Sequence, residues 1–339
     1  MRSSQVKQKR KKGCLYGLII LLVFFGLVSY GVGSYFVNYA LVPQQGAEKR
    51  EAAVDVSADQ LAIDQARAKE EQARQDWLAG LGDRRQALSI QSTDGLKLYG
   101  HQIKQYRPSH RWVIIVHGYQ SSEDESNLLA RHFAEAGYNV LTYSQRAHAP
   151  SQGKYIGMGY FEKDDLLAWT KWLVKEDPKA EVVYHGTSMG GGTVLMASGL
   201  DLPKQVKAII SDCAYSSTWD IFASELKWRF NLPAFPVLYM AEGVGRLQAG
   251  YDIRWAEPKN EVAKTDLPIL FIHTEKDDFV PVDMARELYA SKKQGPKELF
   301  LLPNGGHAEA KYQPGYYERI ADFLTDYLSS SGIKKALES

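Results

Sequence analysis

Residues 181–192 read EVVYHGTSMGGG, and this segment is the most informative one for predicting the fold. Its first five residues predict a buried strand, and the residues after 190 predict a helix. Between them, residues 186–190 form the pattern Gly-x-Ser-x-Gly around Ser188. In a strand–turn–helix context this pattern is typical of a sharp turn in which the serine is strained and only glycines fit beside it. Such a turn projects Ser188 Oγ from the sheet at the positive end of a helix.

A serine projected in this way is a candidate nucleophile, but its hydroxyl needs a general base that a third group orients. Among the eight histidines, only His307 follows a late predicted strand. A carboxylate after the preceding strand would complete the order serine, aspartate, histidine. Asp277 is favoured because it lies just before a Val-Pro pair. Asp278 beside it, and Asp212 at the end of another predicted strand, remain alternatives.

Two backbone N–H groups are expected to stabilise the charge that develops on an attacked carbonyl oxygen. One is the N–H of Met189, directly after the serine. The other comes from the loop after the first buried strand, residues 112–116 (WVIIV), where the N–H of Tyr119 is the candidate. Four further histidines are interpreted as packed or hydrogen-bonded side chains: His117, His148, His185 and His273.

Strands and helices alternate on both sides of this turn. The predicted strands are residues 87–92, 96–103, 112–116, 139–143, 181–185, 206–211, 269–273 and 298–302. The predicted helices are residues 127–136, 164–174, 283–291, 316–328 and one that starts near 190. The first two strands flank a Thr-Asp-Gly turn and predict a hairpin. The alternation predicts an α/β domain over residues 85–330, with a mostly parallel sheet covered by helices on both faces, and a tail over 331–339.

The stretch from about 216 to 262 does not follow this alternation. It is aromatic and interrupted by proline, and it predicts a small cap. Its aromatic side chains would form an apolar acyl or leaving-group pocket over Ser188. The alternative is that these rings simply pack the cap onto the sheet.

The N-terminal segment is uncharged from residue 13 to residue 47, after six basic residues within 1–12. An apolar helix needs about 20 residues to cross ~30 Å of hydrocarbon, so residues 13–42 predict a transmembrane signal anchor. The basic residues predict that 1–12 is a cytoplasmic stub and that the α/β domain is extracytoplasmic. A cleaved secretory signal is the alternative, but the run is long and lacks a good small-residue cleavage site.

Residues 43–84 are rich in Ala, Glu, Gln, Arg and Asp and predict a helical stalk or linker. Ser57 or Asp59 would cap its helix, and Gly80 and Gly82 would end it. Because few of its residues are apolar, we expect most of this helix to be solvated. A partner-binding coiled coil would need sustained apolar heptads, which are missing.

Charge and cysteine content exclude several classes of protein. The formal net charge is +1, and without the six basic residues of the first twelve the remaining chain carries +1 − 6 = −5. The chain after residue 12 therefore has no net positive charge that would attract nucleic acid. With two cysteines, Cys14 and Cys213, the chain has neither a disulfide scaffold nor a multi-cysteine zinc or iron–sulfur site. We expect no metal and no cofactor.

Four segments together resemble the α/β-hydrolase superfamily: WVIIVHGYQSS, GTSMGG, ILFIHTEKDDFVP and NGGHAEA. More narrowly, they are similar to bacterial membrane-anchored serine hydrolases related to serine aminopeptidases and prolyl oligopeptidases. The resemblance covers about residues 88–328. It implies a catalytic triad of Ser188, Asp277 and His307. It also implies that the backbone N–H groups of Tyr119 and Met189 are the oxyanion-hole donors.

The sequence departs from the family pattern at three positions. Residues 142–149 (TYSQRAHA) resemble an Asp-x-Arg-x-His-Gly segment, but Ser144 stands in place of the acid and Ala149 in place of the glycine. Thr274 replaces a common glycine. These positions belong to loops beside the expected pocket, so they bear on substrate preference more than on the triad.

These observations predict a membrane-anchored serine hydrolase that forms an acyl-enzyme on Ser188. An esterase acting on a small-molecule or lipid-like ester is the first expectation, and a serine peptidase is the second, because the turn does not distinguish esters from amides. An acyltransferase remains open, since an alcohol or amine can replace water at the same intermediate. A binding module on a hydrolase fold is the non-enzymatic alternative.

Overall fold

The computed structural model describes residues 2–43 and 57–328, and for residues 2–12 it describes only the helical backbone. The predicted tail, 331–339, lies outside these residues, as does the first part of the predicted stalk, 44–56.

Eight strands lie within the described residues: β1 Arg85–Gln91, β2 Lys97–Ile103, β3 Arg111–Val116, β4 Asn139–Tyr143, β5 Glu181–Thr187, β6 Val206–Asp212, β7 Ile269–Thr274 and β8 Lys297–Leu302. They form one sheet in the order β1-β2-β4-β3-β5-β6-β7-β8. β2 pairs antiparallel with both β1 and β4, and the other pairs are parallel. Every predicted strand is present, with its ends within two residues of the prediction, and β1 and β2 form the predicted hairpin.

Ten α-helices lie within the described residues. Their bounds are α1 Arg2–Leu41, α2 Ala58–Ala79, α3 Glu123–Glu135, α4 Glu162–Glu176, α5 Met189–Ala197, α6 Thr218–Phe230, α7 Ala234–Gln248, α8 Pro258–Val262, α9 Val282–Ser291 and α10 Tyr316–Thr325.

The sheet is buried on both faces, as its apolar strands predict. Along β3, Val113 and Ile115 belong to one core, together with side chains of α3 and α10. The alternate residues Trp112, Ile114 and Val116 belong to a second core, together with side chains of α4 and α5. This alternation follows from the period of two in a strand. A mostly parallel sheet with helices on both faces is therefore confirmed.

The described chain divides into two compact units. The first consists of α1 and residues Phe222–Ile253, which include most of α6 and all of α7. The second contains the whole sheet and the remaining helices. The segment predicted as a cap, 216–262, thus contributes α7 to the first unit and α8 to the second.

In the first unit, α1 carries an apolar segment and packs against α7. The segment Gly13–Leu41 has 29 residues and a mean hydropathy of 2.3, so it is long and apolar enough to cross a membrane. A Cβ on Gly33 would lie 2.5 Å from the Met240 carbonyl oxygen. A glycine at this position therefore lets the two backbones approach closely.

In the second unit, α2 is the helix predicted within the stalk, but it is not a free stalk. It begins at the predicted cap, where the Ser57 hydroxyl accepts a hydrogen bond from the Gln60 backbone N–H over 3.2 Å. The helix packs against α3, and its Ile63 side chain is buried. Most residues of the helix are exposed, as expected, and Ile63 is its buried residue.

Charged side chains hold α2 against α3. One oxygen of Glu70 accepts a hydrogen bond from Arg131 over 2.5 Å and lies 2.8 Å from His132 Nε2. Partial burial alone would raise the pKa of the Glu70 carboxyl group. The hydrogen bonds and charges of His132 and Arg131 outweigh burial and lower this pKa to about 2.

Replacing Glu70 by glutamine should lower the stability of this unit by about 1–2 kcal/mol at pH 7, because it removes a partly buried charge-assisted hydrogen bond. The pKa is lower in the folded state than the ordinary value of 4.5. The stabilisation is therefore complete above that value and disappears as the pH falls toward 2. Thermal unfolding of both proteins between pH 7 and pH 3 tests this expectation.

Glu135→Gln is the matched control, because Glu135 also binds Arg131 but is about half exposed. It should change the stability by less than about 0.5 kcal/mol. Equal effects of the two substitutions, or a Glu70→Gln effect that does not shrink in acid, would contradict the role given to Glu70.

Candidate active site

Ser188 lies at the junction of β5 and α5, with φ 57° and ψ −118°. A non-glycine residue in this region of backbone space is strained and persists only where its surroundings enforce it. Neighbouring glycines allow the turn, since a Cβ on Gly186 would overlap the Gly190 carbonyl, and a Cβ on Gly190 would overlap the Val116 carbonyl. The strand–turn–helix geometry expected around Ser188 is thus present.

His307 lies between the serine and an aspartate. Its Nε2 is 2.8 Å from Ser188 Oγ, and its Nδ1 is 2.7 Å from Asp277 Oδ2. A carboxylate only accepts hydrogen bonds, so Nδ1 carries the proton and Nε2 accepts from the serine hydroxyl. These three side chains form one hydrogen-bonded chain, with Ser188 8% exposed and His307 partly accessible.

The Asp277 carboxylate is held from several sides. Its Oδ1 accepts the backbone N–H groups of Phe279 and Val280 over 3.0 and 2.8 Å. Burial alone would raise the pKa of this carboxyl group, but the charge and hydrogen bonds of His307 and His273 hold the pKa far below its usual range. Asp277 is therefore ionised and can stabilise a charged imidazole.

His273, near the end of β7, supports this carboxylate. Its side chain is fully buried, and its Nε2–H donates to the Val280 carbonyl over 2.8 Å while lying 3.3 Å from Asp277 Oδ2. It therefore holds the turn that positions the aspartate. The interpretation of His273 as a packed, hydrogen-bonded side chain agrees with these contacts.

The two alternative acids lie elsewhere. Asp212 is fully buried, and its Oδ2 accepts a hydrogen bond from the Tyr316 hydroxyl over 2.9 Å. The same hydroxyl accepts from His185 Nε2 over 2.9 Å. Asp278 is exposed to solvent. Of the three candidate acids, Asp277 is the one that the fold brings to His307.

The loop after β3 passes beside the serine. A Cβ on Gly118 would lie 3.4 Å from Ser188 Cβ. The next residue is Tyr119, the second predicted oxyanion donor. The first predicted donor, Met189, follows the serine and is the first residue of α5, where backbone N–H groups have no partner within the helix.

Two buried imidazoles hold this loop on either side of Tyr119. His117 Nε2 accepts the Gln145 backbone N–H over 3.0 Å, so its Nδ1–H donates to the Gly118 carbonyl over 2.8 Å. His148 Nε2 accepts the Gln120 backbone N–H over 3.1 Å. Because a trans peptide directs its C=O and N–H to opposite sides, the fixed Gly118 carbonyl also fixes the direction of the Tyr119 N–H.

Both imidazoles must be neutral for these contacts, since a protonated ring cannot accept a hydrogen bond. Burial and the nearby His148 lower the pKa of His117 to about 3. Burial also lowers the pKa of His148. Apart from the His-Gly dipeptide, no local pattern predicts this arrangement, because residues 117 and 148 belong to loops after different strands.

Replacing His148 by leucine should reduce kcat for the predicted ester hydrolysis by roughly 10- to 100-fold with a smaller change in KM, because loss of one oxyanion donor costs about 10²–10³-fold and here the predicted donor is only misplaced. His148→Gln should retain more activity, since its side-chain oxygen can still accept the Gln120 N–H. Steady-state kinetics on a soluble ester distinguish the two variants. Equal kcat values for them would contradict a positioning role.

The loop that carries His307 rests on α2. Glu309 accepts the Gly306 backbone N–H over 2.7 Å, and the same carboxylate is bound by Arg67 of α2. A Cβ on Gly305 would lie 3.2 Å from Ile63 Cδ1. The helix predicted as a stalk therefore supports the position of the histidine.

Within the described residues, one group of side chains has the spacing of metal ligands, namely Cys213, Asp277 and His307, whose ligand atoms lie within 4.8 Å of one another. Burial raises the pKa of the Cys213 thiol well above its usual value, so it is a poor ligand as it stands. The other two side chains already bond to each other, and His307 also to Ser188. Asp277, His307 and Ser188 are therefore arranged for proton transfer.

The fold and this arrangement define a class of protein, and comparison with known proteins identifies the same class. The family model described as alpha/beta hydrolase fold matches residues 111–237. The protein YqkD of Bacillus subtilis is 33% identical over 240 residues, which cover 69% of this chain and 78% of that protein. The chain belongs to the α/β-hydrolase superfamily.

Two further matches carry functional names. An esterase of Pyrococcus furiosus is similar in structure, with a TM-score of 0.59 and 25% identity over 72% of this chain and 92% of that chain. The lysophosphatidylserine lipase ABHD12 of Danio rerio is 25% identical over 237 residues, or 66% of this chain and 60% of that protein. The family and these relatives support a hydrolase.

Proposed function

We propose that this protein is a membrane-anchored serine hydrolase that cleaves carboxylic esters through an acyl-enzyme on Ser188. The observation that carries the proposal is the chain of hydrogen bonds from Asp277 through His307 to Ser188, with distances of 2.7 and 2.8 Å. A serine in a strained turn, hydrogen-bonded to a histidine that an aspartate orients, is the arrangement expected of a nucleophile with its general base.

The proposed reaction is acyl transfer to water in two steps. Ser188 Oγ attacks the ester carbonyl carbon while His307 Nε2 takes the hydroxyl proton, and the imidazolium then gives this proton to the leaving alcohol. A water molecule attacks the acyl-enzyme by the same route, and the acid is released as Ser188 regains its proton. Asp277 keeps the imidazole in the required tautomer and stabilises its charge.

The negative charge on the carbonyl oxygen would be stabilised by the N–H groups of Met189 and Tyr119. The first lies at the N-terminus of α5, where the helix dipole favours negative charge. The second belongs to the loop held by the two neutral imidazoles. Both donors are held in place before the reaction, so they can stabilise the developing charge without rearranging.

Esters are preferred over amides in this proposal because the similar solved structure and the curated relative are an esterase and a lipase by name. A small-molecule or lipid-like ester is the proposed substrate class. The acyl or leaving-group pocket that residues 216–262 would form over Ser188 stays a prediction, and so does the extracytoplasmic location of the domain.

Membrane anchoring is proposed for the segment Gly13–Leu41. Its 29 residues exceed the roughly 20 needed to cross the hydrocarbon layer. The six basic residues before it favour a cytoplasmic N-terminus.

Fluorophosphonate labelling of the full chain in detergent micelles tests the proposed chemistry, since the reagent modifies an activated serine. In a separate assay, unlabelled protein is tested against p-nitrophenyl esters of increasing acyl length and against aminoacyl anilides, because a labelled Ser188 can no longer turn over substrate. Labelling of the protein, together with turnover of esters that is faster than turnover of anilides, supports the proposal. Faster anilide turnover would make the protein a peptidase, and a folded protein that is not labelled would be a binding module.

A further inference from the structure

We propose that α6 and α7 form a membrane-docking surface that lies in the headgroup layer beside α1 and contacts lipid directly. This inference rests on the proposed membrane anchor, and it does not depend on the proposed chemistry. The exposed apolar side chains of this surface, called the interfacial patch below, are Trp228, Leu232, Phe235, Tyr239 and Leu247.

α7 has two different faces. Its Val237, Leu238 and Val244 side chains are buried. Tyr239 and Leu247, two turns apart on the other side, are 51% and 78% exposed. An amphipathic helix in water places polar residues on its outer face, so large exposed apolar side chains there indicate a surface that another apolar phase covers.

The start of α7 extends this face. Phe235 has an extended backbone (φ −88°, ψ 132°) and is 71% exposed. Its ring contacts the Tyr239 ring, with centroids 5.6 Å apart. The two rings therefore form one continuous apolar surface at the start of the helix.

Contacts between α7 and α1 determine the depth at which this surface lies in the membrane. Gln248 Nε2 donates to Ser34 Oγ over 2.9 Å and to the Tyr30 hydroxyl over 3.2 Å. Gly33 packs on α7, and the Phe36 ring contacts the Phe230 ring with centroids 5.2 Å apart. α7 and the end of α6 therefore lie beside residues 30–39 of α1.

These α1 residues coincide with the edge of a bilayer. With a rise of 1.5 Å per residue, a helix that enters the hydrocarbon at Gly13 leaves it after about 20 residues, near residue 32. Tyr30, Tyr35 and Tyr39 then lie at the level where tyrosine is enriched in membrane proteins. The interfacial patch is beside them and lies at the same level.

The composition of the patch fits lipid headgroups better than a protein partner. Tryptophan and tyrosine favour the interface because they combine an apolar ring with a polar group. One basic side chain adjoins the patch, since Lys227 lies in the last turn of α6 and donates to the neutral Asn231 side chain, whereas Arg229 in the same turn is paired with Glu225. The Lys227 cation would attract anionic headgroups.

The test is a measurement of depth by spin labelling of the full chain in vesicles of phosphatidylethanolamine and phosphatidylglycerol. Nitroxide labels are placed at Phe235→Cys, Tyr239→Cys and Leu247→Cys in a Cys14→Ser background, because Cys213 is buried. Collision rates are measured with oxygen, which concentrates in lipid, and with a nickel chelate, which stays in water.

Two reference sites calibrate the result. A label at Leu22→Cys, within the apolar segment of α1, reports the hydrocarbon. A label at Tyr106→Cys, on an 81% exposed residue of the second unit, reports water. The proposal predicts that oxygen collisions exceed chelate collisions at all three patch sites, with ratios between those of the two references.

The outcomes separate the proposal from its premise. Patch labels that behave like Tyr106 while Leu22 is immersed would overturn the docking surface and leave the anchor intact. Patch labels shielded from both reagents would also overturn it, because a second copy or another protein would then cover the patch. A Leu22 label in water would overturn the anchor as well, while labelling of Ser188 by fluorophosphonate would be unaffected.

Discussion

Replacing Ser188 by alanine should lower kcat for ester hydrolysis by about 10⁴-fold or more and abolish fluorophosphonate labelling. The alanine removes the oxygen that attacks the carbonyl, and no other hydroxyl is hydrogen-bonded to His307 among the described residues. Steady-state kinetics on p-nitrophenyl butyrate and gel-based labelling measure the two effects. Wild-type-like turnover by the alanine variant would contradict the proposed nucleophile.

A second variant separates loss of chemistry from loss of structure. Ser188→Gly should be as inactive as the alanine variant, but more stable than it by about 1 kcal/mol. The positive φ of 57° costs a non-glycine residue about 1–3 kcal/mol of stability. Glycine avoids this cost but loses about 0.5–1 kcal/mol, because its unfolded state has a larger conformational entropy. Denaturant unfolding of both variants measures the difference. A glycine variant less stable than the alanine variant would mean that the turn carries no strain.

Asp277→Asn should lower kcat by about 10⁴-fold, through the tautomer of His307. The asparagine oxygen can still accept the N–H groups of Phe279 and Val280, so its amide nitrogen must face His307 Nδ1. Nδ1 then becomes the acceptor and Nε2 carries the proton. An imidazole in this tautomer cannot take the proton from Ser188, and in a serine protease the same change has an effect of this size.

Asp278→Asn is the matched control, because it makes the same chemical change one residue away on an exposed side chain. It should leave kcat within about threefold of wild type, as expected of a screened surface charge. Measuring kcat/KM between pH 5 and pH 10 for both variants checks the assignment. The reverse ranking of the two variants would move the role of the acid to Asp278.

The sharp turn around Ser188 and the sheet were predicted well because both depend on local patterns. The turn around Ser188 requires glycines at fixed neighbouring positions, and the buried strands are short apolar runs, such as the one that ends before His117. Among the helices predicted around the sheet, one start differs from its prediction by more than two residues. α3 begins at Glu123, four residues before its predicted start, because its first turn is acidic and has no apolar residue to reveal it.

The position of α2 could not be predicted from its sequence. Its contacts with α3 and with the loop of His307 are made largely by charged side chains such as Glu70 and Arg67. Charged residues on a helix ordinarily indicate a solvated face. Only the complementary partners, which come from distant parts of the chain, show that this face is packed.

The α/β class, the strand order along the chain, the strained serine turn and the apolar N-terminal helix could all be predicted from the sequence, because each follows from neighbouring residues. Long-range packing determines which of three aspartates meets His307, which imidazoles hold the loop of Tyr119, and where α7 lies against α1. These are distances between groups far apart in the chain. Such distances depend on how the strands pair and how the helices pack, and no local pattern contains them.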